Sequence, residues 1–162
     1  MLYLLDANVL IRAHEDYYPI DRIPQFWTWL HAQGGNHIVK VPYEIYNEIA
    51  VSTGPLHDWL TDAVVSASML LQQQTDAANL NVVITQGYAP DLNDSEIEEI
   101  GQDPFLIAYA YADPNNITVV SREVSAPSKR RANRRVPDVC KAFNVRCITD
   151  FEFYRELDFK II

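Results

Sequence analysis

Several features are scarce in this 162-residue chain, and each scarcity argues against a class of protein. It has only two cysteines, Cys140 and Cys147, which form no CxxC pair, so neither a disulfide framework nor a zinc–thiolate site is expected. No apolar run approaches the roughly 18 residues of a membrane span, and the N-terminus lacks the pattern of a signal peptide. We therefore expect a cytoplasmic protein with no membrane segment.

Positive charge is also scarce, because the chain has 13 basic and 22 acidic residues and a formal net charge of −9. A field of this sign repels phosphates, which argues against nucleic-acid binding over the whole surface. Five basic residues are nevertheless concentrated in one stretch, which we call the basic segment: Lys129, Arg130, Arg131, Arg134 and Arg135. It could contact a phosphate backbone, contact a protein partner, or be a solvated loop.

The apolar content of 48% predicts a globular chain, and the length fits one domain over residues 1–162. Apolar strand-like runs alternate with helical stretches, which predicts a three-layer α/β/α domain with a mostly parallel central sheet. Asn8 is expected near the N-cap of the first helix, and Ser95 with Glu98 is expected to form a capping box. Residues 52–100 are expected to form a helical insertion, poorly patterned between residues 66 and 89.

Four acidic residues fall where a parallel sheet binds its ligands, outside the carboxyl ends of the strands. Asp6 ends the first strand, and Glu48 lies on the apolar side of the helix after the second. Asp103 opens a small-residue helix, and Glu123 follows the strand "ITVVS". Carboxylates gathered at one edge would repel one another, and a divalent cation removes that repulsion. Oxygen-only ligation favours Mg²⁺ or Mn²⁺.

Simpler interpretations exist for several of these residues. Asp103 before Pro104 could be only an N-cap, and Glu123 could be a solvated loop acid. Glu44, one turn before Glu48, is best explained as a solvated acid that complements the helix dipole. Asp6 is the hardest to explain without a ligand, since it ends an apolar strand. The aromatic residues Phe26, Trp27 and Trp29 are expected to pack in the core or in a dimer interface rather than to stack on bases, and the four histidines form no shared pattern.

Taken together, the four acids resemble those of the PIN-domain family of metal-dependent ribonucleases, which includes VapC-type toxins. That family opens with "LLDTNVL" or similar, and this chain has "LLDANVL". Its helical second acid corresponds to Glu48 in "PYEIYNEIA", and its third to Asp103 in "DPFLIAYAYA". Its fourth motif, "VVT.D", is matched by "VVSREV". The order and spacing of the motifs cover nearly the full chain.

The resemblance implies hydrolysis of RNA phosphodiester bonds with Mg²⁺ or Mn²⁺. The metal-binding and catalytic residues would be Asp6, Glu48, Asp103 and Glu123. Asn8 and Ser121 would support them by orienting the carboxylates or contacting the phosphate. The resemblance further implies a toxin of a VapBC-like pair, with an antitoxin partner and a homodimer, although no motif separates a toxin from an RNA-processing enzyme.

Two departures and three rival interpretations accompany this resemblance. Ser121 and Glu123 replace the Thr and Asp of the fourth motif, and the insertion is long for a compact toxin. A PIN-like module that binds RNA or protein without cleavage is therefore an alternative. A receiver domain would need more acids beside the first strand and a later lysine. A haloacid-dehalogenase-like phosphatase would need an Asp where Asn8 stands.

Overall fold

The computed structural model describes residues 1–162 and confirms the predicted α/β class. Four strands form one sheet in the order β2-β1-β3-β4, and all neighbouring pairs are parallel. The strands are β1 (Leu2–Leu5), β2 (Val39–Lys40), β3 (Ile117–Val120) and β4 (Arg146–Ile148). Helices flank this sheet, as expected for a three-layer α/β/α fold.

Ten helices connect and surround the strands. They are α1 (Ala7–Arg12), α2 (Pro24–Gly35), α3 (Tyr43–Ala50), α4 (Pro55–Thr61), α5 (Ala63–Met69), α6 (Ala77–Val82), α7 (Asp94–Ile100), α8 (Asp103–Ala112), α9 (Val136–Ala142) and α10 (Asp150–Glu156). Two π-helical segments extend α1 and α6 over Ala13–Tyr17 and Val83–Tyr88. None of the ten helices combines the length and the apolar character needed to cross a bilayer.

The strand register aligns the residues that follow β1 and β3. Leu5 pairs with Val120, so Asp6 and Ser121, the next residue of each strand, lie side by side at the carboxyl edge of the sheet. The two central strands, β1 and β3, are almost entirely buried because helices cover both faces, which explains their apolar character, whereas the edge strand β4 exposes Arg146. Phe26 and Trp27 belong to this core, as predicted for the N-terminal aromatic residues.

Two local predictions about helix starts are wrong. Asp6, not Asn8, is the N-cap of α1, because the strand ends one residue before the helix begins and the Asp6 carboxylate accepts from the Ala7 N–H. The capping box of α7 is formed by Asn93 and Glu96, two residues before the predicted pair of Ser95 and Glu98. In both cases an Asx residue just before the helix captures the free N–H groups of its first turn.

The insertion over residues 52–100 is only partly helical. The segment between α5 and α6 is extended, and Leu70 forms a parallel bridge with Val41 beside β2. α5 packs closely against α2 at Gly34, where an added Cβ would lie 2.7 Å from the Met69 sulfur. The insertion is therefore integrated into the domain at the β2 edge rather than carried as a separate unit.

Lys40 is a buried cation that joins α2 to α5. Its Nζ donates to the carbonyls of Gly34 at 3.1 Å and Ser68 at 2.5 Å, and its side chain has no acidic partner. We expect Lys40→Met to lower the free energy of unfolding by about 2–3 kcal/mol, because two carbonyls near helix ends lose a charged donor. Urea unfolding tests this, with the exposed Lys160→Met as a control that should change stability by less than about 0.5 kcal/mol. Equal stability of the two variants would contradict the role assigned to Lys40.

Candidate metal centre

Asp6 is held in place by three hydrogen bonds at the end of β1. Its Oδ1 accepts from the Ala7 N–H at 2.8 Å. Its Oδ2 accepts from Asn8 Nδ2 and from Ser121 Oγ, each at 3.1 Å. The side chain is only 4% exposed, and burial raises the pKa of Asp6 to about 6 even though Ser121 and Asn8 oppose the shift. The carboxylate is thus fixed in orientation but costly to ionise.

Ser121 and Asn8 also fix the loop that follows β3. The Ser121 hydroxyl donates to Asp6 and accepts from the Glu123 N–H at 3.2 Å. The Asn8 carbonyl oxygen accepts from the Arg122 N–H at 3.3 Å. Together with the hydrogen bonds from Asn8 and Ser121 to Asp6, they hold this carboxylate and the loop in a fixed arrangement. The ends of β1 and β3 therefore form one hydrogen-bonded unit around Asp6.

Asp103 is the most strongly perturbed carboxyl group of the site. It is the first residue of α8, whose N-cap is Gln102, and its side chain does not cap the helix. The simpler interpretation of Asp103 as an N-cap is therefore wrong. Burial raises its pKa to about 8, and the negative charges of Asp6, Glu123 and Glu48 add to the rise, while no hydrogen bond opposes it.

Glu48 lies at the open side of the cluster. Its side chain is exposed on α3, yet partial desolvation and the charge of Asp6 raise its pKa. Glu44, one turn earlier, takes no part in the cluster. Tyr109 donates to its carboxylate at 3.2 Å and Thr75 at 3.1 Å, so Glu44 joins α3 to α8 and is not the solvated acid predicted.

Glu123 is turned partly away from the other acids. Its Oε2 accepts from the Val136 N–H at 2.7 Å, which satisfies one of the free donors at the start of α9. Its charge still raises the pKa of Asp6 and of Asp103, so it lies within electrostatic reach of both. Glu123 is therefore not a solvated loop acid. Because the Val136 N–H holds one of its carboxylate oxygens, Glu123 is less free than Asp103 to bind a cation directly.

A cleft of about 270 Å³ opens beside Asp103 and Glu123, and both acidic and basic side chains line it.

The residues of the basic segment fall into two groups, those with structural partners and those without. Arg131 pairs with Asp91 and Glu96, and Arg134 donates to backbone carbonyls, so these two are structural. Lys129 and Arg135 line the cleft without an ion pair, and Arg130 is exposed. The full lining is Tyr88, Glu99, Ile100, Asp103, Glu123, Lys129, Ala132, Asn133, Arg134 and Arg135.

The donor set fits a hard divalent cation in its chemistry. The candidate ligands are all carboxylate oxygens, which Mg²⁺ and Mn²⁺ prefer, and their mutual repulsion is the charge problem that a cation relieves. No three His, Cys, Asp or Glu side chains already stand in a metal-holding arrangement. Binding of a cation would therefore require the carboxylate side chains to move closer to one another.

Sequence reasoning missed Tyr88, which lines the cleft from the π-helical end of the insertion. It lies in the poorly patterned stretch, where hydrophobic periodicity gives no signal. Local sequence also could not show that the cysteines are neighbours. Cys140 on α9 and Cys147 on β4 are free thiols, and the interaction with Cys147, together with burial, raises the pKa of Cys140.

Comparison with known proteins gives one informative result. A family model described as Domain of unknown function (DUF4411) matches residues 3–161, nearly the whole chain. No curated protein and no solved structure matches the chain. The resemblance to PIN-domain ribonucleases therefore stays a prediction that depends on the residues of the site.

Proposed function

The chain belongs to the family described as Domain of unknown function (DUF4411), and from its site we propose that it is a Mg²⁺- or Mn²⁺-dependent endoribonuclease. The observation that carries the proposal is the desolvation of Asp6 and Asp103 at one edge of a parallel sheet. The negative charge of Glu123 raises the pKa of both, Asp6 also raises the pKa of Asp103, and no basic side chain neutralises them. Such an arrangement opposes stability, and a cation-dependent activity accounts for it.

The roles of the side chains follow from how each is held. Asp6, fixed by Ser121 and Asn8, would be the anchoring ligand, and Asp103 would be the second. Glu48, which faces solvent, would approach the metal directly or through water. A bound Mg²⁺ or Mn²⁺ lowers the pKa of a coordinated water and stabilises charge on phosphate oxygens.

The substrate proposal rests on the cations next to the carboxylates. Lys129 and Arg135 line the cleft without acidic partners, so they are free to contact phosphates on either side of a scissile bond. A basic border and a cation would together offset the net charge of −9 near the substrate. The choice of RNA over DNA comes from the resemblance to PIN-domain ribonucleases, as does the proposed antitoxin partner and homodimer of a VapC-like toxin.

Substitutions in the basic segment are expected to divide by structural role. The double variant Lys129→Ala/Arg135→Ala should weaken RNA binding about 10-fold near physiological salt. The slope of log affinity against log salt concentration should fall by the contribution of roughly two phosphate contacts. Arg131→Ala should mainly lower stability, because Arg131 links the segment to α7 through Glu96. Fluorescence anisotropy of a labelled single-stranded RNA, measured in Ca²⁺ over a salt series, tests this. An equal loss of RNA affinity in Arg131→Ala would contradict the division.

The activity itself is tested by incubating end-labelled single-stranded RNA with the protein and Mn²⁺, Mg²⁺ or EDTA. We expect internal cleavage with either metal and none with EDTA. Cleavage that persists in EDTA would contradict the metal-dependent mechanism. If no divalent metal supports cleavage of a broad set of RNA sequences, the nuclease proposal fails.

One observation favours a second candidate, a PIN-like module that binds RNA or protein without cleavage. Glu123 is hydrogen-bonded to the start of α9, and no preformed three-ligand geometry exists. RNA binding that is unchanged by metal, together with the absence of cleavage, would support this alternative. The adjacent reading frame offers a further test of the toxin proposal, since a small DNA-binding protein encoded there would be a candidate antitoxin.

A further inference from the structure

A second groove adjoins the cleft beside Asp103, and Glu123 and Arg135 line both of them. We call it the β3-loop groove, because residues 122–126 of the loop after β3 form most of it, together with Asn8. Its volume is about 420 Å³. Since two side chains border both the cleft and the groove, a ligand long enough to fill one can extend into the other.

The charged residues of the β3-loop groove are two arginines and one acid, in a chain whose net charge is −9. Neither Arg122 nor Arg135 forms an ion pair. The Nε of Arg122 is shielded from solvent and has no hydrogen-bond partner in the protein. The acid, Glu123, already accepts from the Val136 N–H. The groove therefore offers guanidinium donors without protein acceptors, and a phosphate matches the planar fork of such donors.

The loop that carries Arg122 is fixed at both ends of the groove. At one end, the Arg122 N–H donates to the Asn8 carbonyl oxygen at 3.3 Å. At the other, the Ser125 hydroxyl and the Ala126 N–H both donate to the Asp138 carboxylate on α9. A loop already held in place loses little conformational freedom when a ligand binds, so less of the binding free energy is spent on ordering it.

The distribution of cations suits a polymer with repeated phosphates better than a single small anion. Lys129 lines the cleft, Arg122 lines the β3-loop groove, and Arg135 borders both. Val124 also lines the groove and is 80% exposed, so the groove is open to solvent along the loop. Single-stranded nucleic acids bind to positively charged grooves that follow their backbone.

We propose that the β3-loop groove is a phosphate subsite for a single-stranded nucleic acid and that Arg122 binds the phosphate there together with Arg135. The inference rests on the proposed function and extends it, because it adds a contact on the loop after β3 to those assigned to the basic segment. A strand held in both the cleft and the groove would pass Glu123, the acid that borders both. Because Arg122 contacts the phosphate, it reads neither the sugar nor the base.

The test compares Arg122→Gln with Arg22→Gln by fluorescence anisotropy of a labelled single-stranded RNA in Ca²⁺ over a salt series. Arg22 is the control, since it is exposed and lines neither the cleft nor the groove. We expect Arg122→Gln to weaken binding about 3- to 10-fold and to lower the slope of log affinity against log salt concentration by about 0.7, the contribution of one phosphate. Arg22→Gln should change neither quantity.

Two further measurements separate a phosphate contact from other roles of Arg122. Arg122→Lys keeps the charge, so it should keep the wild-type salt slope. Arg122→Gln should weaken binding of RNA and of DNA with the same sequence by the same factor, because both present the same phosphate. The bond from the residue 122 N–H to Asn8 does not involve the side chain, so these variants should fold, which thermal unfolding checks.

The outcomes separate this inference from the proposed function. Wild-type affinity and slope in Arg122→Gln, an equal loss in Arg22→Gln, or a loss confined to RNA would overturn the inference. If the wild-type protein binds RNA but cuts none with Mn²⁺, the nuclease proposal fails while the comparison of the variants still decides the role of Arg122. A wild-type protein that binds neither RNA nor DNA would overturn both.

Discussion

Asp6→Asn is expected to reduce metal-dependent RNA cleavage by about 1000-fold while leaving the fold intact. The amide is the same size as the carboxylate but carries no charge, so the proposed site would lose its most firmly held anionic ligand. Asparagine is also a good N-cap, which preserves the start of α1. Cleavage of a quenched fluorescent RNA under single-turnover conditions in Mn²⁺ measures the effect.

Asp21→Asn serves as the control for this experiment because Asp21 is exposed and lies outside the cluster. It removes one negative charge, as Asp6→Asn does, and should leave the rate unchanged. Circular dichroism and thermal unfolding would establish that both variants are folded. Cleavage by Asp6→Asn at the wild-type rate would show that this carboxylate holds no catalytic metal.

The metal-free protein is expected to become less stable as the pH rises from about 4 to about 8. The folded-state pKa values of Asp6, about 6, and Asp103, about 8, both exceed the value of 3.8 for an unperturbed aspartate. Between these limits the folded state binds more protons than the unfolded state, so the free energy of unfolding falls with pH. Since each pKa unit corresponds to about 1.4 kcal/mol, the shift of Asp6 alone should cost on the order of 3 kcal/mol, and the shift of Asp103 adds to this loss.

Asp103→Asn should remove much of this pH dependence. The variant replaces the ionisable group with a neutral one of the same shape, so it should be more stable than the wild type at about pH 8 in EDTA. With Mn²⁺ present, it should be inactive toward RNA. Urea unfolding at several pH values in EDTA measures the effect. Asp21→Asn corrects for the loss of one charge from an acidic protein. A wild-type stability that rises over this interval would contradict the assigned burial and repulsion of Asp103.

The sequence was sufficient to predict the fold class and the edge of the sheet where the acids lie. Continuous apolar strands indicated a buried parallel sheet, and the carboxyl ends of such strands lie together by geometry. The position of Asp6 directly after β1, next to Ser121, follows from that rule and from the pairing of Leu5 with Val120. The resemblance to PIN-domain ribonucleases implied an orienting role for Asn8 and Ser121, and both residues donate hydrogen bonds to Asp6.

Other features depend on tertiary packing and could not be predicted from local sequence. The bond from Val136 to Glu123 forms only because α9 begins beside the β3 loop. Tyr88 reaches the cleft because Gly87 fits closely against α9. The basic segment divides into structural and free cations only when α7 supplies Asp91 and Glu96 to Arg131. Each case joins residues that are distant in sequence.

Calorimetric titration of Mn²⁺ into the metal-free protein at about pH 7 tests the central claim most directly. Repeating the titration in buffers with different ionisation enthalpies gives the number of protons released. Because Asp103, with a pKa of about 8, is largely protonated at this pH, we predict saturable binding with release of close to one proton. The release should disappear in Asp103→Asn. Absence of saturable binding, or binding without proton release that is unaffected by Asp103→Asn, would contradict the assignment of this carboxylate cluster as a metal centre.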